Sequence, residues 1–128
     1  MKTLHCLALF LFFVCISLYG QEKGPQISFE TILIDYGTIE NGSDGKRSFS
    51  FKNIGDQELI IKNVRSSCGC TIPKKPDAPI MPGEKSEIIV KYDTNRQGPF
   101  RKTITVSTNL EDMPIIALKI KGIVLPKK

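Results

Sequence analysis

The feature that most constrains this chain is an alternation of apolar and polar side chains with a period of two. In the segment RSFSFKN, Phe49 and Phe51 alternate with serines and a lysine, and in KTITVST, Ile104 and Val106 alternate with threonines. Successive side chains of a β-strand point to opposite faces, so this alternation predicts strands with one buried and one exposed face. The pattern recurs in ELIIKNV, SEIIVKY and IIALKIKGIVL, and one or two further strands are predicted in QISFETILIDYG.

Turn-forming sequences separate these segments and complete the prediction of the fold class. Asn-Gly at 41–42 and Asp-Gly at 44–45 adopt positive φ angles at low cost, and the segments NIGD, MPG and NRQGP have the same character. No segment has the apolar spacing of a helix. About seven short antiparallel strands in a chain of this length are typical of an all-β, immunoglobulin-like β-sandwich. The longest segment predicted to be irregular is PKKPDAPIMPG, residues 73–83.

Residues 1–20 have the character of a secretory signal peptide. Lys2 supplies a basic start, and a long apolar run that ends near small residues follows it. We expect cleavage before Gln21, which leaves the sandwich domain as residues 21–128 and removes His5, the single histidine. The alternative interpretation is an N-terminal membrane anchor. The signal peptide predicts an exported protein of the periplasm or cell surface, without a stable membrane span after cleavage, in a compartment where disulfides form.

The charge of the chain argues against a nucleic-acid partner. The whole chain has a formal net charge of +5, and the loss of Lys2 with the signal peptide would lower it to +4. Both signs are interspersed along the sequence. This distribution predicts an ordinary protein surface and not the basic stripe of a nucleic-acid-binding protein.

Two cysteines remain in the exported chain, Cys68 and Cys70, with Gly69 between them. In the chain-entropy account, a disulfide that closes so short a segment stabilises the fold by at most about 1.6 kcal/mol. Stability is therefore a weak reason for the pair. We expect a glycine between the cysteines because it removes a Cβ clash that would oppose a tight conformation.

Three interpretations of the cysteine pair are open at the level of the sequence. The first is an inert disulfide that shapes a loop at the end of a strand. The second is a redox-active pair, whose thiolate form Lys74 and Lys75 would favour. The third is a site for a soft metal such as copper(I) or zinc, with Met81 as a further thioether ligand. Zinc normally takes four protein ligands in a structural site, and the exported chain offers two thiolates and no histidine.

A series of short motifs runs through the exported chain. They are Asp-Tyr-Gly at 35–37, Asn-Ile-Gly at 53–55, Ser-Cys-Gly-Cys-Thr at 67–71, Pro-Gly at 82–83, Tyr-Asp at 92–93, Gly-Pro-Phe at 98–100 and Thr-Asn at 108–109. Together they resemble the bacterial domain of unknown function 1573 family, which adds Ser67, Gly69 and Thr71 to the cysteines as motif residues. The resemblance implies an exported immunoglobulin-like sandwich, similar to hydin-type and major-sperm-protein-like domains, and it implies no reaction. Tyr36 stands where phenylalanine is usual, and the loop before Pro82 lacks a tryptophan that is often found there.

The exported chain offers few groups for catalysis. A nucleophilic serine or cysteine needs a base, and no histidine remains once His5 is removed. The aspartates lie beside turns, where they usually stabilise the turn. We therefore predict a non-enzymatic interaction or structural module without a cofactor. It would bind a protein partner through an exposed strand edge and the loop from Cys68 to Gly83. The alternative function is thiol–disulfide redox chemistry or copper handling by Cys68 and Cys70.

Overall fold

The computed structural model describes residues 24–128, and the predicted signal peptide lies outside them. This part of the chain forms eight strands and contains no helix. The predicted all-β fold class is confirmed, with eight strands where about seven were expected. The strands are β1 (Ile27–Phe29), β2 (Leu33–Ile39), β3 (Lys46–Asn53), β4 (Ile61–Ser66), β5 (Thr71–Lys74), β6 (Lys85–Tyr92), β7 (Gly98–Thr108) and β8 (Ile115–Val124).

The strands form two sheets of four that enclose one core. One sheet has the order β1-β3-β6-β5 and the other β2-β8-β7-β4, and we name them the β3–β6 sheet and the β7–β8 sheet after their central strands. Alternate side chains of both sheets point into the space between them. The inward positions predicted from the alternation are buried, and the fully buried side chains include Phe49, Ile88, Ile104, Val106 and Leu118.

One inward position of β8 has room only for a glycine. A Cβ atom on Gly122 would lie 2.8 Å from Phe100 Cζ and 2.8 Å from Tyr36 Cβ. A larger residue would therefore push these aromatic side chains apart, which overpacks the core. Tyr36, Tyr92 and Phe100 form one cluster, in which the rings of Tyr92 and Phe100 stack with their centroids 3.8 Å apart.

The N-terminal strands depart from the predicted antiparallel pattern. Between β1 and β2 the chain passes from the β3–β6 sheet to the β7–β8 sheet, and β2 then pairs in parallel with β8, with Leu33 opposite Lys119. A parallel pair cannot be closed by a hairpin and needs a crossover connection. Here the strands from β3 to β7 are that connection. Side-chain alternation is the same for both strand directions, so it carried no information about this pairing.

The segment predicted to be irregular, residues 73–83, begins inside a strand. β5 (Thr71–Lys74) is an edge strand that pairs with β6. The carbonyl oxygen of Cys70 accepts a hydrogen bond from Asp93 N–H, so the backbone groups of Cys70 point towards β6. Backbone groups alternate in direction along an edge strand, so those of Pro73, three residues later, point towards the open edge. Proline is tolerated at such a position because its missing N–H would have had no partner in the sheet.

In the Asn-Ile-Gly motif, the side chain of Asn53 holds the connection that follows β3 in place by hydrogen bonds. Asn53 is fully buried, and its Nδ2 group donates to the carbonyl oxygens of Gln57 and Ile80, both at 2.8 Å. Its Oδ1 atom accepts from Gly55 N–H at 2.9 Å. One side chain therefore joins the β3–β4 connection to the segment that precedes β6, at the end of the sandwich opposite the cysteines.

Candidate functional site

The Ser-Cys-Gly-Cys segment lies where the chain crosses from one sheet to the other. β4 is an edge of the β7–β8 sheet, β5 is an edge of the β3–β6 sheet, and residues 67–70 connect them. We name residues 67–70 the cysteine corner. Three backbone hydrogen bonds hold it: Ser67 N–H to Thr103 O at 3.0 Å, Thr71 N–H to Cys68 O at 3.2 Å, and Asp93 N–H to Cys70 O at 2.8 Å.

Cys68 and Cys70 form a disulfide, with their Cα atoms 5.2 Å apart. Cys70 is only 7% exposed and belongs to the core, whereas Cys68 is half-buried and packs against the core from outside. The Cys70 N–H group also lies 3.2 Å from Cys68 Sγ. Cys70 therefore fixes the corner to the core, and Cys68 is the half of the disulfide that a second molecule can reach.

A cation beside the disulfide comes from a distant part of the sequence. Arg96, in the turn between β6 and β7, places Nη1 at 3.5 Å from Cys68 Sγ. The sequence pointed to Lys74 and Lys75 as the neighbouring cations, and it missed Arg96. The missing information is the register of β5 on β6, which places Thr71 opposite Tyr92 and so brings the turn after β6 to the corner.

The three other motif residues have different surroundings. Ser67 Oγ accepts from Thr103 N–H at 3.2 Å. Thr71 is 3% exposed, and its Oγ1 lies 3.7 Å from Cys70 Sγ. The φ angle of Gly69 is not positive, and a Cβ there would meet no atom within 4 Å beyond its two chain neighbours, so nothing outside the Cys-Gly-Cys segment requires a glycine. Gly69 also leaves the outer surface of the corner without a side chain.

The structure does not bring Met81 to the cysteines. Met81 lies shortly before β6, where its N–H donates to Glu84 Oε2 at 3.1 Å, whereas Cys70 bonds to Asp93 directly after β6. The eight residues of β6 separate these two places by roughly 25 Å. Within residues 24–128 no three His, Cys, Asp or Glu side chains cluster as metal ligands do. The residues around the corner therefore do not fit a metal site of the usual ligand number.

The aromatic cluster lies at the same end of the sandwich as the cysteine corner. Tyr36 OH donates to Gly45 O at 2.8 Å, and the Arg47 guanidinium lies 4.2 Å from the Tyr36 ring centroid. Burial raises the pKa of Tyr36 to about 12, against an opposing effect of Arg47. Burial also raises the pKa of Tyr92. Both phenols therefore keep their protons near neutral pH, and both rings pack in the buried aromatic cluster.

The β4 edge beside the corner presents free backbone groups. Arg65 is paired with Thr105 of β7, and Ser67 N–H donates to the same strand. By alternation, the N–H and C=O groups of Val64 and Ser66 face away from β7. Within the described chain, neither of these two N–H groups has a hydrogen-bond acceptor. The start of this edge is already paired, because Leu59 exchanges two backbone hydrogen bonds with Ile80 at 2.8 Å, and β5 lies close to β4. The unpaired part of the edge is therefore the end of β4 beside the corner, at Val64 and Ser66.

The other edge strands are protected against pairing to different degrees. β1 has only three residues. At the start of β2, Leu33 N–H is bonded to Thr31 Oγ1 at 3.2 Å. On β5, Pro73 has no N–H, and Thr71 N–H is bonded to Cys68 O. Short strands, proline and local capping are common ways to prevent unwanted pairing at a sheet edge. β1 and β2 nevertheless keep outward-facing N–H groups, such as those of Ile27 and Asp35, so β4 differs from them in lying directly before the cysteine corner.

The two signs of charge are divided unevenly between the strands and their connections. Every strand from β3 to β8 carries lysine or arginine, whereas Asp35 and Glu87 are the acidic residues found in strands. The remaining acidic residues of the described chain lie in the connections. Within residues 24–128 one ion pair is formed, between Lys121 and Asp35 at 3.9 Å. Aspartate favours turns, whereas lysine alternates with apolar residues in the strands. Negative charges therefore lie mostly in the connections and positive charges in the strands.

The sequence comparison identifies a family without an assigned role. Residues 27–124 match the sequence pattern described as "Protein of unknown function (DUF1573)". Comparison with curated proteins gives no significant match. In the part of the chain that the structure describes, no helix is long and apolar enough to cross a membrane.

Several solved structures share the fold. A protein of unknown function from Porphyromonas gingivalis W83 superposes with a TM-score of 0.70 and 16% identity, over 79% of this chain and 47% of that one. The chain thus spans about half the length of that protein. PapD-like domain 7 of human CEP192 gives a TM-score of 0.67 and 8% identity, over 85% of this chain and 92% of that domain.

A third similar structure is a protein complex. It is the CsuC–CsuE chaperone–tip adhesion subunit pre-assembly complex of Acinetobacter baumannii, with a TM-score of 0.58 and 14% identity, over 80% of this chain and 52% of that one. At these identities the likeness shows the fold alone, an immunoglobulin-like sandwich of PapD-like type.

Proposed function

This chain belongs to the DUF1573 family of proteins of unknown function, and from that premise we propose that it is an exported, non-enzymatic module that binds a protein partner in the periplasm or at the cell surface. The partner would add a strand to the free edge of β4 and contact the adjacent cysteine corner. The free N–H and C=O groups of Val64 and Ser66 are the observation that carries this proposal. Strand addition at an exposed edge is a recurring way in which sheets bind extended peptides.

The surroundings of β4 support binding at this edge. The corner that follows β4 is fixed by the disulfide and by three backbone hydrogen bonds, so a partner strand meets a preformed surface there. Gly69 leaves space for close approach of a second backbone. The chaperone–subunit complex among the similar structures supports the idea that such a sandwich can serve protein binding.

The test replaces one edge residue by proline. Val64→Pro removes an N–H that faces the open edge and is not needed by β7, so the sandwich should remain folded. The partner strand would lose one hydrogen bond, which lowers affinity by about threefold to tenfold. The measurement is the amount of partner that co-purifies with the tagged chain after cross-linking in the cells that produce it.

Ile27→Pro is the matched control for this test. Ile27 is also a β-branched, half-buried residue on an edge strand, and its backbone faces away from β3 because Gln26 and Ser28 are the residues that face it. We expect this variant to recover the partner as the unmodified chain does. Equal recovery with both proline variants would contradict binding at β4, and turnover of a substrate by the purified chain would contradict a non-enzymatic role.

Export is tested separately. We propose that the signal peptide is removed before Gln21, so the intact mass of protein from the cell envelope should correspond to residues 21–128 with two hydrogens fewer for the disulfide. A mass that still includes residues 1–20 would support the membrane-anchor interpretation instead.

Thiol–disulfide exchange at Cys68 is the second candidate function. The Arg96 guanidinium, 3.5 Å from Cys68 Sγ, would favour a thiolate there once the disulfide is reduced. Against this, an incoming thiolate that bonds to the accessible Cys68 sulfur must release a thiolate on the buried Cys70. Burial disfavours a charged group, which slows that step. Cys68→Ser separates the candidates, because it abolishes an exchange function and leaves strand pairing at β4 intact.

A further inference from the structure

The outer surface of the β3–β6 sheet carries more exposed lysines than acidic side chains. We name this surface the lysine face, and its members are Lys46, Lys52, Lys74, Lys85 and Lys91. The acidic side chains on this face are Glu87, which stands opposite Ser50, and Glu30, which follows β1 and lies close to Lys52 and Lys85. Within residues 24–128, none of these lysines comes within 4.0 Å of a carboxylate oxygen as an ion pair.

Two pairs of these lysines stand directly opposite each other across one ladder. Lys46 is opposite Lys91, and Lys52 is opposite Lys85. Directly opposite side chains have their Cβ atoms about 5 Å apart, and like charges at that distance destabilise a sheet. The two pairs lie at the two ends of the β3–β6 ladder, about 20 Å apart along β3. Because the two lysines within each pair repel each other in the free protein, their presence indicates that an anionic partner surface neutralises their charge.

We propose that the lysine face binds the anionic headgroup layer of a lipid membrane. Between the lysine pairs, β3 presents the small side chains of Ser48 and Ser50, which leave the face open to a flat surface. Clustered lysines near a membrane are attracted to anionic lipids. Ile72, 67% exposed and opposite Lys91, adds an apolar side chain that can enter the interface between headgroups and acyl chains.

The choice of lysine favours a lipid surface over a protein or a single phosphate. The lysine face contains no arginine, since Arg47 of β3 covers the Tyr36 ring at the other side of the strand. Arginine, with its bidentate guanidinium, is the residue enriched at protein interfaces and at defined phosphate sites. The ammonium group of lysine is a compact charge without a fixed bidentate geometry, so it suits the diffuse layer of lipid headgroups. This proposal goes beyond the proposed function, because it uses the opposite sheet from β4.

The experiment measures binding of the purified protein to lipid vesicles by flotation. One set of vesicles is phosphatidylcholine alone, and the other carries one third phosphatidylglycerol. We expect binding to the second set, weakened by added salt because the attraction is screened. Each lysine near the surface should contribute about fivefold in affinity, so Lys46→Gln with Lys91→Gln should weaken binding about 25-fold at low salt.

The matched control removes the same charge from the other sheet. Arg101→Gln with Lys119→Gln neutralises two exposed cations of the β7–β8 sheet, and we expect less than about threefold change from this pair. Equal losses in the two double variants would overturn the proposal, because net charge alone would then explain binding. Equal binding to both vesicle types would also overturn it, as would equally tight binding of polyglutamate or displacement by millimolar inorganic phosphate.

A charge reversal keeps the test independent of folding. Lys91→Glu converts the repulsive pair with Lys46 into an attractive one, so the melting temperature should rise while vesicle binding falls more than in Lys91→Gln. Opposite directions of the two readouts exclude misfolding as the cause of lost binding. A lower melting temperature, or retained binding, would overturn the account of the lysine face.

Discussion

At the scale of single residues, the motif positions divide into those that hold the fold and those that face outward. Asn53 and Thr71 are buried and hydrogen-bonded, whereas Ser67 and Gly69 are exposed. Sequence reasoning placed these residues in motifs without separating the two roles. The separation depends on partners that are distant in the sequence, such as Ile80 for Asn53.

Asn53→Ala should lower the free energy of unfolding by about 2–4 kcal/mol. The variant loses three side-chain hydrogen bonds and leaves the carbonyl oxygen of Ile80 with fewer donors in a buried place. Urea denaturation measures the change. Asn63→Ala, at an exposed position of β4, is the control and should change stability by no more than about 0.5 kcal/mol. Equal effects at the two positions would contradict the role given to Asn53.

Tyr36 should make stability depend on pH in the alkaline range. Its pKa is about 12 in the folded protein against the ordinary value of 10.0, so the folded state keeps the proton to higher pH. The contribution of Tyr36 to the free energy of unfolding is therefore complete below pH 10, and it is lost as the pH rises towards 12. Urea unfolding over this range should show a smaller decline for Tyr36→Phe than for the unmodified chain. A tyrosinate absorbance change of Tyr36 near pH 10 would contradict the raised pKa.

At the scale of elements, the strands with regular alternation were predictable and the irregular ones were not. β3, β6 and β8 bury the residues that their alternation indicated, among them Phe51, Val90 and Ile120. β5 was missed because its four residues include a proline, which is acceptable only at an edge. The edge position depends on which strands pair, and no local pattern specifies that.

Removal of the disulfide should leave the sandwich folded. The ring joins residues two positions apart, so the loss of the disulfide in Cys68→Ala with Cys70→Ala should lower the free energy of unfolding by no more than about 1.6 kcal/mol. The core strands do not depend on the corner for their pairing. Urea denaturation of the double variant measures this loss. Unfolding of the variant in buffer would contradict the account, since the disulfide would then be essential to the fold.

At the scale of the whole molecule, the surfaces follow from strand register and not from composition. The formal net charge of +5 gave no indication that cations lie on the sheet faces and most acidic groups in the connections. In the same way, Arg96 contacts Cys68 only because β5 pairs with β6 in the observed register. The free edge of β4 likewise follows from the pairing of β4 with β7. The cysteines themselves were evident in the sequence, and their neighbours were not.

Amide hydrogen exchange along β4 tests the central claim most directly. In the free protein, the N–H groups of Val64 and Ser66 face the open edge and should exchange fast, while those of Asn63 and Arg65 face β7 and should exchange slowly. In the complex with the co-purified partner, Val64 and Ser66 should become protected while the edge of β1 is unchanged. Slow exchange of Val64 and Ser66 in the free protein, or protection by the partner confined to another strand, would contradict binding at the β4 edge.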